Sequence, residues 1–168
     1  MQKTNEKRTE VAKSCSQPPP RKASEKNTAE QIRREVKRRG EIGEAAFLSK
    51  AASMGFGVSK PWGDSDRYDL VVDVGGRMLR VQVKSAHCVS ASPGGGYHFR
   101  ACPHKRVPYR DDEIDILVAY IVPEDIWYVF PASAFNTMKS MRLFPTPGKK
   151  TSKFEQYREA WGAFHVLK

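Results

Sequence analysis

The sequence has few cysteines and no long hydrophobic run. Cys15, Cys88 and Cys102 are an odd set without the spacing of a disulfide framework, so free thiols in a reducing compartment are expected. No apolar leader and no run of about 18 apolar residues occurs, which argues against secretion and a membrane partner. We therefore expect a cytoplasmic protein. Internal repeats and coiled-coil heptads are also missing, so repeat architectures are not expected.

Positive charge is abundant, and it is concentrated near the N-terminus. The 168 residues, 39% of them hydrophobic, suffice for one ordinary domain with a core. The formal net charge is +10, and residues 1–40 supply +7 of it through twelve Lys or Arg and five Asp or Glu. Such a segment favours a polyanionic partner, because Lys and Arg neutralise phosphates. A solvated tail that aids solubility is an equally valid interpretation.

Composition divides the chain near residue 27. Residues 1–27 are rich in Lys, Ser, Gln and Pro and have almost no large apolar side chains, which predicts a disordered basic arm. Residues 28–168 are predicted to form the folded domain. Thr28 can cap a helix that either breaks at Gly40 or continues through it. The small or apolar residues expected to face a sheet from this helix are Ile42, Ala45, Ala46, Ser49 and Ala52.

Strand-like runs fill most of the remaining chain. Gly75 and Gly76 join two of them and predict a hairpin, because glycine accepts positive φ. Short helical segments are expected from Ser133 and over residues 154–161. The fold class is therefore α/β, with a central mixed β-sheet flanked by helices. The predicted strands cover residues 56–60, 68–74, 78–84, 97–101, 114–122 and 126–130.

The run 78–84 places two polar side chains together. Alternate residues of a strand point to opposite faces, so Gln82 and Lys84 share the face opposite Val81 and Val83. Asp69 opens the preceding hairpin strand and can lie beside them. A carboxylate and a cation of this kind suit phosphodiester cleavage, in which carboxylate oxygens hold Mg²⁺ near the attacking water. On these residues alone, a solvated strand edge is the more usual explanation of the pattern.

The helix that precedes this hairpin contributes a further acidic candidate. Glu44 lies on the small-residue helix and can reach a metal directly or through water. Glu41 competes with it from a neighbouring helical face, three residues earlier, and can instead stabilise a helix N-terminus. We prefer Glu44 because its spacing from Asp69 suits the motif pattern that follows.

Three short motifs in order resemble the PD-(D/E)xK nuclease superfamily. They are GEIGE at 40–44, RYDLV at 67–71 and VQVK at 81–84. The block from residue 40 to about 135 is most similar to bacterial group I intron homing endonucleases of this class, and more distantly to archaeal Holliday junction resolvases. The resemblance implies a restriction-endonuclease-like core and a Mg²⁺-dependent endodeoxyribonuclease, with Mn²⁺ as an alternative ion and no small-molecule cofactor. DNA is the implied partner, and a homo-oligomer is left open.

The resemblance also implies a role for each motif residue. Asp69 is the central metal ligand, the carbonyl of Val83 adds another, and Glu44 completes the acidic set, while Lys84 positions or activates water. Gln82 stands where most members have Glu or Asp, and an amide has no negative charge. The homing endonucleases that the chain resembles also have QxK. A binding module that keeps the fold without efficient metal binding is therefore the alternative.

Two further sets of residues are candidates for sites. Lys105, Arg106, Tyr109 and Arg110 are predicted to contact nucleic acid through backbone phosphates and base stacking, with a solvated loop as the alternative. A zinc site is disfavoured because its candidate ligands match no standard finger spacing. Those candidate ligands are His87, Cys88, Cys102 and His104.

Overall fold

The computed structural model describes residues 29–63, 65–102, 107–110, 112–146 and 153–166. The predicted arm, 1–27, and Thr28 lie outside the described residues. The helices are α1 (Ala29–Ser53), α2 (Ala132–Phe135) and α3 (Ala163–Val166), with 3-10 turns at Val122–Glu124 and Glu155–Tyr157. Over the described ranges, none of the helices has the length and apolar character needed to cross a membrane.

Seven strands in the described part of the chain form two sheets. They are β1 (Gly57–Ser59), β2 (Leu70–Val74), β3 (Arg77–Ala86), β4 (Tyr97–Arg100), β5 (Ile116–Ile121), β6 (Ile126–Pro131) and β7 (Ser140–Leu143). The main sheet has the order β1-β2-β3-β5-β6. Strands β3 and β5 are parallel, and the other neighbours are antiparallel. The predicted α/β architecture with a central mixed sheet is confirmed.

The hairpin between β2 and β3 has the predicted glycine turn. Val74 pairs with Arg77, so the loop consists of Gly75 and Gly76, with φ angles of 64° and 88°. Two consecutive positive φ angles are typical of a type I′ turn, whose twist matches that of the strands. The Asp73 side chain also accepts a hydrogen bond from the Gly76 N–H at 2.8 Å. The turn sets the register that brings Asp69 next to the middle of β3.

Both faces of the main sheet are covered by apolar clusters. One cluster packs α1 and α3 against Val81, Val83 and Val118 through Phe47 and Phe164. The other lies on the opposite face, where residues of β4, β7 and α2 pack on β5 and β6. In β3, Leu79, Val81 and Val83 are buried. The opposite face of β3 is therefore also enclosed, and Gln82 is buried on it.

Helix α1 is continuous through Gly40, and its buried face differs from the prediction. The buried residues are Gly43, Phe47 and Ala51, whereas Ile42 is 45% exposed. One residue changes the direction of a helical side chain by about 100°, so most of the predicted face is exposed, and of its members only Ala46 packs against the core. Phe47 is at the centre of the observed face, where its ring packs against Trp127, Trp161 and Phe164.

Strand β4 forms as predicted but does not join the main sheet. It pairs antiparallel with β7, a strand that the sequence pattern did not predict. Its burial alternates, since Tyr97 and Phe99 are buried while His98 and Arg100 are exposed. The predicted helical segment 154–161 is also different, because it contains only a 3-10 turn, and α3 begins after it.

Candidate active site

Asp69 lies immediately before β2, where the hairpin opens. Its backbone N–H donates to the Val81 carbonyl at 2.9 Å, and its Oδ2 accepts the Val83 N–H at 2.8 Å. The side chain is thus held against the middle of β3. Burial raises the pKa of the Asp69 carboxyl, although the Val83 N–H and the positive charge of Lys84 act in the opposite direction. The carboxylate is partly removed from water without losing its hydrogen-bond donors.

Gln82 projects from β3 toward the same point. It is only 6% exposed, and it is the one polar residue that is buried among the described residues. Its Nε2 donates to Asp69 Oδ2 and lies 3.4 Å from the Val83 carbonyl oxygen. Its Oε1 accepts a hydrogen bond from the Tyr109 hydroxyl at 3.0 Å. Both ends of the amide therefore have partners in the core.

Lys84 is the next residue of β3 on this face. Burial lowers the pKa of its ammonium group, while the negative charges of Asp69 and Glu44 raise it. The amine is therefore a partly desolvated cation in the field of two carboxylates. A proton at this position can leave more readily than from a lysine in water, which suits a group that positions or activates water.

Glu44 approaches the site from α1, on the other side of β3. Its side chain is 22% exposed, and Lys60 donates to its Oε2 at 2.7 Å. The close approach of the helix has a local cause, because a Cβ placed on Gly43 would lie 2.7 Å from Ser85 Cβ. Glu41, the alternative candidate, is exposed. Of the two glutamates, the structure thus places Glu44 in electrostatic contact with Asp69 and Lys84.

Comparisons with known proteins bear on the family to which the chain belongs. A family model described as PD-(D/E)XK endonuclease matches residues 34–164. The chain belongs to the PD-(D/E)XK endonuclease family. It is also similar to the solved structure of a bacterial homing endonuclease, I-Ssp6803I, with 35% identity and a TM-score of 0.68. That match covers 76% of this chain and 91% of the other. No protein with curated annotation matches the chain.

The predicted resemblance is therefore confirmed, and the fold is restriction-endonuclease-like. In this PD-(D/E)XK domain, the three motifs that are distant in sequence meet beside the middle of β3. The GEIGE segment lies on α1, the RYDLV segment leads into β2, and the VQVK segment forms the middle of β3. Nucleases of this family generally use divalent metal ions.

The oxygen atoms beside the middle of β3 fit such an ion. Gln82 Nε2 is within hydrogen-bond distance of Asp69 Oδ2 and within 3.4 Å of the Val83 carbonyl oxygen. Two oxygens thus converge on one electropositive group, as they would on a cation, and Glu44 adds a second carboxylate nearby. In the part of the chain that the structure describes, no three His, Cys, Asp or Glu residues are grouped for a metal. A hard cation here would depend on carbonyl and amide oxygens as well as on carboxylates.

The predicted nucleic-acid contacts separate in the structure. Lys105 and Arg106 lie outside the described residues. Arg110 is exposed, and its guanidinium pairs with Asp112 at 2.6 Å. Tyr109 is 2% exposed, so in this conformation its ring is enclosed by the core and does not face solvent for base stacking. The buried ring instead contributes its hydroxyl group to Gln82.

The zinc candidates do not assemble among the described residues. Cys88 is an exposed free thiol and Cys102 a buried one. His87 lies 3.3 Å from the Arg39 carbonyl and 3.4 Å from Ser85 Oγ. His104 lies outside the described residues. The expectation of free thiols is confirmed for the two cysteines that the structure describes.

Two residues at the site have positions that the sequence did not predict. Lys60 follows β1 and pairs with Glu44, which raises the pKa of Lys60. Tyr109 is predicted to lie on a nucleic-acid surface, yet it contacts Gln82 across the core. Lys60 follows a three-residue strand, and Tyr109 lies in an irregular segment. Neither segment has a periodicity that would indicate where its side chains point.

Proposed function

We propose that this domain hydrolyses DNA phosphodiester bonds with the help of a divalent cation, Mg²⁺ in the first place and Mn²⁺ as a substitute. One observation carries the proposal: the Asp69 carboxylate and the Val83 carbonyl oxygen approach the same Gln82 Nε2 at the open end of the β2–β3 hairpin, and the charge of Asp69 acts on the ammonium group of Lys84. Glu44, on α1, adds a second carboxylate from the other side of β3. DNA is inferred as the substrate from the family and from the homing endonuclease relative.

Each residue has a distinct task in this proposal. Asp69 and the Val83 carbonyl hold the cation, with Glu44 completing the acidic set directly or through water. The cation supplies Lewis-acid polarisation of the phosphoryl group and a lowered pKa of bound water. Lys84 holds the attacking water or the scissile phosphate and takes part in proton transfer. Gln82 supports the Asp69 carboxylate and offers its own oxygen only after reorientation.

Binding to DNA is proposed to rest on lysine and arginine side chains. Lys105, Arg106 and Arg110 supply phosphate contacts, together with the basic residues of α1 and of the 1–27 segment. The exposed basic residues of α1 include Arg33, Arg34 and Arg38. Counterion release makes such binding weaker at higher salt.

A second candidate function is a binding module without efficient cleavage. The orientation of Gln82 favours it, because an N–H donor instead of a carboxylate faces Asp69 and Val83. An amide without negative charge holds Mg²⁺ less tightly than a carboxylate would. Metal-dependent cleavage separates the two functions.

The test is a cleavage assay on plasmid, linear duplex and four-way-junction DNA with Mg²⁺, Mn²⁺ or EDTA. We expect wild type to cut in either metal and not in EDTA, and Asp69→Ala and Lys84→Ala to lose cutting. Asp66→Ala and Lys139→Ala are matched controls, since both residues are exposed and outside the site. If wild type binds these substrates and cuts none with either metal, the binding module is the better description. Cutting that persists in Asp69→Ala would contradict the assigned site.

A further inference from the structure

A buried chain of polar groups runs from Tyr109 through Gln82 to Asp69. The Tyr109 hydroxyl donates to Gln82 Oε1 at 3.0 Å, and Gln82 Nε2 donates to Asp69 Oδ2. Tyr109 is 2% and Gln82 6% exposed, so water does not compete freely for these bonds. The ring of Tyr109 packs in the apolar cluster on this face of the sheet. The direction of the amide is thus set by its two partners.

This direction conflicts with metal binding at the same oxygens. Gln82 presents N–H groups to Asp69 Oδ2 and toward the Val83 carbonyl oxygen. A cation held by these oxygens would be repelled by an N–H donor and attracted by an amide oxygen. Rotation of the amide by about 180° about its last side-chain bond exchanges the two ends without moving the backbone. After this rotation, Oε1 faces the cation and the NH₂ group faces Tyr109.

Tyr109 can pair with either end of the amide. Burial is the main cause that raises the pKa of its hydroxyl, and the nearby Asp69 charge adds to it, so the group stays neutral. A neutral phenol both donates and accepts hydrogen bonds. It donates to Oε1 in the observed orientation and would accept from the NH₂ group in the reversed one.

We propose that Tyr109 is a positioning residue that holds the Gln82 amide in the orientation closed to metal, and that binding of a divalent cation reverses this amide. The inference rests on the proposed metal-dependent function and adds a switch to the same site. In the reversed orientation, the Tyr109 hydroxyl hydrogen is left without its acceptor Oε1 inside the core. The hydroxyl therefore favours the closed orientation and weakens metal binding.

The first test measures Ca²⁺ binding by titration calorimetry, without any turnover. Tyr109→Phe keeps the ring and removes the hydroxyl, so we expect its Ca²⁺ dissociation constant to fall by about fivefold, the ratio for one ordinary net hydrogen bond. The matched background is Gln82→Met, which keeps the side-chain length without an amide. In that background, Tyr109→Phe should leave the dissociation constant unchanged. Circular dichroism on all four proteins verifies that each is folded.

The outcomes distinguish this inference from the proposed function. If Ca²⁺ binds to wild type and Tyr109→Phe has no effect, weakens binding, or acts equally in the Gln82→Met background, the role of Tyr109 is refuted while metal binding stands. If wild type binds no Ca²⁺ but cuts DNA with Mg²⁺, the switch is overturned and the proposed function stands; if it neither binds Ca²⁺ nor cuts, both are overturned together. The double-mutant design is needed because a purely structural effect of removing the hydroxyl would appear in both backgrounds.

A second readout follows the amide itself. In ¹⁵N-resolved NMR spectra, the Gln82 side-chain NH₂ protons should gain nuclear Overhauser effects to the Tyr109 ring protons when Ca²⁺ is added. The gain is expected because reversal turns these protons from Asp69 toward the phenol oxygen. Saturation with Ca²⁺ without such a gain would show that the amide does not reverse.

Discussion

Replacing Gly43 by alanine tests the contact that brings Glu44 to the sheet. The added Cβ would lie 2.7 Å from Ser85 Cβ and 2.9 Å from its Oγ. Ordinary contact begins at 3.4 Å, so α1 and β3 must separate by about 0.7 Å. Because Ser85 Cβ is attached directly to the β3 backbone, a side-chain rotation does not relieve the clash. Overpacking of this kind costs about 1–3 kcal/mol.

Gly40 provides the matched control within the same helix. A Cβ placed on Gly40 would have no atom of the described residues within 4 Å, apart from its chain neighbours and the backbone of its own helix. Gly→Ala inside a helix otherwise stabilises by about 0.5–1 kcal/mol, and this gain is common to both variants. The difference in free energy of unfolding between Gly40→Ala and Gly43→Ala therefore isolates the clash. We expect Gly43→Ala to be the less stable of the two by about 1–3 kcal/mol.

Urea denaturation followed by circular dichroism measures this difference, and cleavage measures its consequence for Glu44. A displacement approaching 1 Å at a catalytic group can reduce the rate by about 100-fold, so Gly43→Ala should cut DNA far more slowly than Gly40→Ala. Removing the Ser85 side chain should relieve the clash. We therefore expect Gly43→Ala to cost less stability in a Ser85→Gly background than in wild type. Equal stability of the two alanine variants would refute the close approach of α1 to β3 as the reason for glycine at position 43.

Three further predictions concern charge. In EDTA at pH 7, Asp69→Asn should raise the melting temperature. Burial raises the folded-state pKa of Asp69 above its usual 3.8, so the folded state favours the protonated carboxyl. The stability that this form provides is lost as pH rises through that pKa, whereas the asparagine side chain stays neutral. Gln82→Glu should bind Ca²⁺ about tenfold more tightly, since an added ligand charge raises affinity. Deleting residues 1–27 should weaken DNA binding and flatten its salt dependence, by about 0.9 in slope for each phosphate that the segment neutralises.

Each of these has a measurement that decides it. Melting curves of Asp69→Asn and wild type should converge below about pH 4, near the unfolded value, and a difference that persists there would contradict the burial argument. Calorimetry that shows no tighter Ca²⁺ binding in Gln82→Glu would remove Gln82 from the metal site. For the truncated chain, unchanged affinity and salt slope would reject a role of the basic segment in DNA binding, with wild type as the control at each salt concentration.

The parts of the site that could be predicted from the sequence depend on residues that are close together in the chain. Alternation along β3 places Gln82 and Lys84 on one face because the side-chain period of a strand is two residues. Gly75 and Gly76 predict the turn because consecutive positive φ angles favour glycine. Together they bring Asp69 to Gln82, since the length of the turn sets the register. Each inference needs only neighbouring residues.

The buried face of α1 could not be deduced in this way. Both the predicted stripe and the observed stripe of Gly43, Phe47 and Ala51 have helical spacing. The choice between them depends on which side chains fit β3 and β5, and Ser85 admits only a glycine at the closest point. The pairing of β4 with β7 is a similar case, because both strands are short and are distant in sequence.

The sequence by itself determined the fold class, the strands of the hairpin and the three motifs, because periodicity, turn residues and motif order are local properties of the chain. Only the tertiary structure decided that Tyr109 is buried against Gln82, that Lys60 pairs with Glu44 and that the amide of Gln82 turns its N–H groups toward Asp69. These contacts join residues 13 to 27 positions apart. They depend on which groups find a partner when the core excludes water, and that requirement is met only in the packed chain.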